Sequence, residues 1–178
     1  DAILSFGGIR HYLDWERIEQ KEGSYTFNPV HSGGWNYDAI YSFLKSSQKD
    51  ILVCLKTVPK WMLETYPVQL RDSENVPARF GKDLTNPSSY EEQARAAFQL
   101  AARYGNNKSV DQKLIRINSV PRWTNDIPNQ VKVGLGLVNY LECDNERDKW
   151  WKGRKAYQTG REYAANLSAF YDGHKQKM

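Results

Sequence analysis

The stretch that decides the fold is Ile51-Leu52-Val53-Cys54-Leu55, five apolar residues in a row between Lys49-Asp50 and Lys56-Thr57. A strand with one face in water alternates apolar and polar residues; a strand covered on both faces does not, and parallel sheets are built of such strands. The run therefore reads as a buried parallel strand. Leu137 to Cys143 (LVNYLEC) repeats the pattern with polar residues towards its far end, and Ile9 to Leu13 is a weaker third example.

Helical signals separate these runs. Between Asn36 and Ser47, Tyr37, Ile40, Tyr41 and Leu44 fall at the i, i+3, i+4, i+7 spacing of one helix face. From Ser88 to Tyr104, Ser88 and Glu91 have the spacing of a capping box, Tyr90, Ala94, Ala97, Phe98 and Ala101 point inward, and Gly105 stops the helix. A third helix is expected from about Lys155 to Tyr171, with Tyr163, Ala164, Leu167, Phe170 and Tyr171 on its stripe and Gly173 just past its end. Strand, helix, strand, helix in that order predicts an α/β fold with a parallel sheet. The 178 residues suffice for one cored domain and are too few for two.

Composition narrows the function. Apolar residues make up 40% and charged residues 26%, the balance of a globular protein. Aromatic content is 13%, with six Trp and eleven Tyr, which serve either as core filling or as flat platforms for sugar faces. The net charge of +4 is spread along the chain. Its densest stretch, Lys149 to Lys155, is broken by two Trp and a Gly, so no basic face for nucleic acid is expected. No run of 18 apolar residues exists, and no membrane span is expected. Cys54 and Cys143 read as buried free thiols, with a bridge left open. His11, His31 and His174 have no ligand spacing, so neither a metal nor another cofactor is expected. The chain opens on Asp1 with no signal-peptide pattern, which leaves the compartment undecided.

In α/β proteins functional groups collect at the carboxyl ends of strands. After the first strand comes Arg10-His11-Tyr12-Leu13-Asp14-Trp15-Glu16-Arg17-Ile18-Glu19, with Gly23, Tyr25 and Phe27 beyond. After the second comes Lys56-Thr57-Val58-Pro59-Lys60-Trp61, and after the third Glu142-Cys143-Asp144-Asn145-Glu146-Arg147-Asp148, then Trp150 and Trp151. Glycoside hydrolysis needs one carboxyl group to protonate the leaving oxygen and a second to attack or to activate water. The acid must hold its proton near neutral pH, which calls for an apolar or negative neighbourhood. Glu146 beside Asp144, Trp150 and Trp151 is the candidate. Ion pairing of Asp144 and Asp148 with Arg147, Lys149 or Arg154 is the ordinary alternative.

The segment Arg10-x-Tyr12-x-Asp14-Trp15-Glu16-x-Ile18-Glu19, with Gly23-x-Tyr25-x-Phe27, resembles the stretch after strand two in the clan of retaining (β/α)8 glycoside hydrolases. That clan holds cellulases, mannanases, xylosidases and galactosidases. Asn145-Glu146 resembles its Asn-Glu pair closing strand four. The resemblance spans about residues 9 to 172 and implies a partial (β/α)8 TIM barrel, one incomplete domain over 1–178. It further implies Glu146 as general acid/base, Asn145 on the substrate 2-hydroxyl, and Arg10 orienting the nucleophile from the end of strand two. Trp61, Trp150 and Trp151 are candidate substrate-binding platforms, each with a packing role as the alternative. Lys56 and Thr57 occupy the region where many members carry a His. The nucleophile, a second Glu, has no counterpart here. The expected partners are a carbohydrate substrate and the remainder of the barrel, with the chain inactive alone. The family further implies a secreted, periplasmic or cell-surface location. A carbohydrate-binding or remnant barrel without catalysis is the alternative function.

Overall fold

In the computed structural model, residues 2–30 and 35–173 are described; His31 and His174 lie outside the described residues. In chain order the strands are β1 (Gly8–Asp14), β2 (Asp50–Lys56) and β3 (Tyr140–Cys143). The helices are α1 (Trp15–Ile18), α2 (Tyr37–Ser46), α3 (Lys60–Leu63), α4 (Glu91–Tyr104) and α5 (Gly160–Gly173). The strands form one parallel sheet in the order β1-β2-β3, with Tyr12 opposite Cys54 and Cys54 opposite Glu142. The fold is α/β, as the strand–helix alternation predicts.

The alternation of side chains sorts the sheet into two faces. Leu13, Ile51, Val53, Leu55 and Cys143 join Tyr37, Tyr41 and Leu44 of α2 and Ala97, Leu100 and Tyr104 of α4 in one core. Burying each large side chain there contributes about 1.5–3 kcal/mol. The other face carries Arg10, Tyr12, Cys54, Tyr140 and Glu142. It stands largely open: Tyr12 is 46% exposed and Tyr140 61%.

The third strand and the last two long helices depart from expectation in their local detail. The third strand begins at Tyr140, not Leu137. Gly134, Leu135 and Leu137 donate their N–H groups to the carbonyls of Ala102, Arg103 and Tyr104. These are end carbonyls of α4 with no partner inside the helix, so this segment is committed to capping and has no donors left for the sheet. Gly134 is required in that crossing. Its φ is +63°, and a Cβ there would lie 2.8 Å from the Lys108 Cα.

The capping box expected at Ser88 and Glu91 is absent. Asn86 caps instead, accepting from the Ser88 N–H at 3.0 Å over a 3-10 turn, Pro87–Tyr90, that leads into α4. A capping box does form on α5, which starts at Gly160 rather than near Lys155. The Thr159 N–H donates to Glu162 at 2.7 Å, and the Glu162 N–H returns to the Thr159 hydroxyl at 3.4 Å. The buried stripe of α5 is accordingly Glu162, Ala165, Asn166, Ala169 and Phe170, while Leu167 and Tyr171 are exposed. Small side chains allow α5 to lie close against the alanine-rich face of α4, and that close approach decides which stripe is inside. Gly173 is the last residue of the helix, not the residue after it.

Candidate active site

All three strands point their carboxyl ends to the same edge of the sheet, so the segments after Asp14, Lys56 and Cys143 are brought together. Backbone strain gathers there. Thr57, Asp144 and Glu146 have φ of +65°, +67° and +49°. Left-handed backbone is disfavoured for non-glycine residues and most of all for a β-branched one, and such conformations persist only where surrounding contacts enforce them. The Thr57 hydroxyl is held by Asp14 Oδ1 at 2.7 Å, which ties the ends of β1 and β2.

The turn after β3 is fixed from within. Asp144 is buried in an ion pair with the buried Arg147 and accepts the Asn145 N–H at 2.8 Å. Arg147 also donates to the Glu74 carbonyl at 2.8 Å and the Ala156 carbonyl at 3.2 Å, joining the loops after β2 and β3. The ordinary ion-pair reading thus holds for Asp144. Its charge is balanced by Arg147, so Asp144 does not supply the negative neighbourhood expected for Glu146.

Across the open face runs a second network. Arg10 lies mid-strand in β1, four residues short of its end, which corrects the strand-end position expected for it. Its side chain reaches over the small Cys54 to grip Glu142 with two hydrogen bonds, 2.7 and 2.6 Å. The same guanidinium donates to Asn145 Oδ1 at 2.9 Å, and the Tyr12 hydroxyl donates to that oxygen at 3.0 Å. The hydrogen bond to Glu142 raises the Arg10 pKa further above its ordinary value. Arginine only donates, so Asn145 must present its oxygen inward. Its Nδ2 amino group is thereby turned away from Arg10 and Tyr12.

Glu146 follows directly. Its side chain is 63% exposed, and the neighbouring charge is Lys149 Nζ at 3.8 Å. Trp150 and Trp151 are 75% and 60% exposed and meet edge to face at 6.0 Å. The surroundings of Glu146 are therefore open and cationic, rather than the apolar or acidic setting expected of it. Trp61 is separate from this pair. Its indole N–H donates to the Glu19 carbonyl at 2.9 Å, its ring packs edge to face on Trp15, and Arg79 lies over it at 5.8 Å. These contacts are those of the packing alternative.

Other titratable groups are structural. Burial lowers the His11 pKa, and His11 Nδ1 meets the Tyr41 hydroxyl at 2.8 Å on the helix-covered face. Cys54 and Cys143 are free and buried. Desolvation pushes the Cys54 thiol up to about 12, so it holds its proton at neutral pH. Among the described residues no group of three His, Cys, Asp or Glu is arranged around a metal site, and no helix is long and apolar enough to cross a membrane.

Glu142, Tyr12 and Thr57 were missed as site residues by sequence reasoning. A signal for the first two was there: strict alternation puts Arg10 and Tyr12 on one face of the first strand, and Tyr140 and Glu142 on the same face of the third. The strained backbone at Thr57, Asp144 and Glu146 has no sequence signal.

A model of glycoside hydrolase family 42, described as beta-galactosidase, matches residues 10–116. The match covers more than half of the chain, and the chain belongs to this family. It takes in Arg10, Tyr12, the Asp14-to-Phe27 segment and Trp61, and ends before Asn145 and Glu146. No curated protein and no solved structure matches.

Proposed function

From that membership as the premise, we propose that the chain provides the acid/base side of the active site of a retaining β-galactoside hydrolase. The remaining strands of a (β/α)8 barrel, and the nucleophilic carboxylate, lie outside these residues. Support for the barrel comes from the sheet itself. Both β1 and β3 have an unpaired edge among the described residues, and long open edges are not left bare in folded proteins. Closure would also cover Tyr12 and Tyr140.

One observation carries the catalytic assignment. Asn145 is held through its amide oxygen by Arg10 and Tyr12, which turns its amino group away from them, immediately before an exposed carboxylate at the carboxyl edge of a parallel sheet. Glu146 then donates its proton to the glycosidic oxygen as the nucleophile's carboxylate bonds to the anomeric carbon and the aglycone leaves. In the second step Glu146 takes a proton from water. The water oxygen bonds to the anomeric carbon, and the glycosyl ester breaks. Two inversions give retention, with the two carboxyl groups about 5–5.5 Å apart. Asn145 Nδ2 donates to the 2-hydroxyl. The nucleophile's own charge in the closed barrel supplies the negative neighbour that Asp144 does not.

Glu146→Gln tests this in the protein expressed from its complete gene. Turnover of alkyl β-galactosides falls about 10²–10⁴-fold, while the first step on a dinitrophenyl galactoside, whose leaving group needs no proton, falls far less. Loss of activity equal on both substrates sinks the acid role. The open, lysine-flanked setting of Glu146 favours a second reading, a carbohydrate-binding barrel without turnover. In that case Glu146→Gln leaves glycan binding unchanged and the wild-type protein hydrolyses neither substrate.

A further inference from the structure

We infer that the cavity between the loops after β2 and β3 is an accessory subsite for an anionic saccharide unit, carboxylated or sulfated, of the glycoside cleaved at Glu146. The inference rests on the catalytic reading above and adds to it the chemical class of the substrate.

The cavity measures about 450 Å³, within the range of small-molecule sites. Five cations line it, Arg79, Lys82, Lys152, Arg154 and Lys155, and no carboxylate does. Tyr66, Leu70 and Phe80 add an apolar wall, with the two rings tilted against each other at 5.4 Å. An apolar wall under a rim of N–H donors suits a sugar ring bearing a negative substituent. It does not suit a bare inorganic anion, which has no use for the wall.

The acids that pair with these cations do not line the cavity. Arg79 is paired with Glu22 and Glu92, Lys152 with Asp72 and Glu74, Arg154 with Glu162, and Lys155 with Asp72. Those pairs leave capacity. An ammonium has three donors and a guanidinium five. Lys155 uses one on Asp72, and Arg79 uses its Nε and Nη2, so both keep donors uncommitted. Lys82, exposed at the rim, has no carboxylate partner among the described residues.

The walls are preformed. The buried Asn75 donates to the Leu70 carbonyl at 3.1 Å and the Lys155 carbonyl at 3.0 Å, and the Val76 N–H also donates to Lys155 at 2.8 Å. The Tyr66 hydroxyl donates to the Val76 and Ala78 carbonyls. A site held open this way loses little ordering entropy on binding. It is also joined to Glu146. Lys149 bridges Glu146 and Glu74, and Glu74 holds Lys152 of the cavity wall. Glu146, Trp150 and Trp151 stand on the same connection after β3 as Lys152, Arg154 and Lys155 of the cavity.

The test is titration calorimetry on the protein expressed from its complete gene, with three tetrasaccharide probes: neutral β-1,4-galactotetraose, a sulfated galactose tetrasaccharide and a galacturonate tetrasaccharide. One anionic probe is expected to bind about tenfold tighter than the neutral one, and the one preferred identifies the anionic group. Lys82→Glu is expected to cut that advantage about fivefold, and Lys82→Arg to keep it. Equal affinity for all three probes, or an advantage untouched by Lys82→Glu, overturns the subsite. Hydrolysis of a small aryl β-galactoside, too short to reach the cavity, reports separately on the catalytic reading. Turnover of that substrate without anionic preference defeats the subsite alone, while anionic preference without any turnover defeats the catalytic reading and leaves the subsite standing.

Discussion

Glu19 makes the stability of this protein depend on pH in a direction unusual for a carboxylate. It is buried at the end of α1, where it accepts from the Trp15 indole and from the Gly23 N–H at 2.7 Å. Desolvation raises its pKa from 4.5 to about 7, even though both N–H donors pull the other way. A raised carboxyl pKa means that the folded state holds the proton longer than the unfolded one. The contribution is therefore complete below pH 4.5 and is lost as pH climbs to about 7. A shift from 4.5 to about 7 corresponds to a loss of about 3 kcal/mol across that window. His11, whose pKa burial lowers from 6.5, acts in the opposite sense over part of the same range. A comparison of wild type with Glu19→Gln cancels it. The variant gives up one acceptor and is less stable at pH 4.5, but the gap between the two proteins should narrow by about 3 kcal/mol by pH 8. Urea denaturation followed by tryptophan fluorescence, on the protein from the complete gene, reads the gap directly. A gap that stays constant from pH 4.5 to 8 refutes the assignment of the shift to Glu19.

Three further outcomes are expected. Arg147→Met leaves the buried Asp144 carboxylate without a partner and should cost about 3–5 kcal/mol in urea, most of it recovered in the double variant with Asp144→Asn; a loss under about 1 kcal/mol contradicts the buried pair. Thr159→Ala should cost about 1 kcal/mol and Ser88→Ala less than about half of that, because only the first belongs to a formed capping box; the reverse order in the same denaturation series rejects it. Arg10→Lys cannot hold Glu142 and Asn145 together, since an ammonium lacks the planar fork, so kcat/KM on a β-galactoside should drop about tenfold while stability moves less than about 1 kcal/mol, the pair being exposed. An unchanged kcat/KM removes Arg10 from the positioning of Asn145.

Periodicity gave away the elements because it follows from local geometry. A short unbroken apolar run between polar residues reads as a buried strand, and the Tyr37-to-Leu44 stripe reads as one side of a helix. The parallel α/β architecture and the gathering of the segments after Asp14, Lys56 and Cys143 at one sheet edge follow from those patterns and from strand direction. What remained hidden depended on contacts between residues far apart in the chain. Leu137 and Val138 have strand composition, yet their donors go to the Tyr104 carbonyl at the end of α4, and no local rule ranks that competition. Thr159 and Ser88 both sit three residues before a Glu, and only the Thr159 pair closes, because Asn86 takes both the N–H and the hydroxyl of Ser88. The inward stripe of α5 was set by close approach of small side chains. At the site, composition placed carboxylates and indoles around Glu146, but the charge on Asp144 is taken up by Arg147, a pairing fixed by loops that meet only in the fold. The cationic cavity of the β2 and β3 loops belongs to the same class: its five cations are scattered from residue 79 to 155, and Asn75, by bonding across to Lys155, is what makes them neighbours.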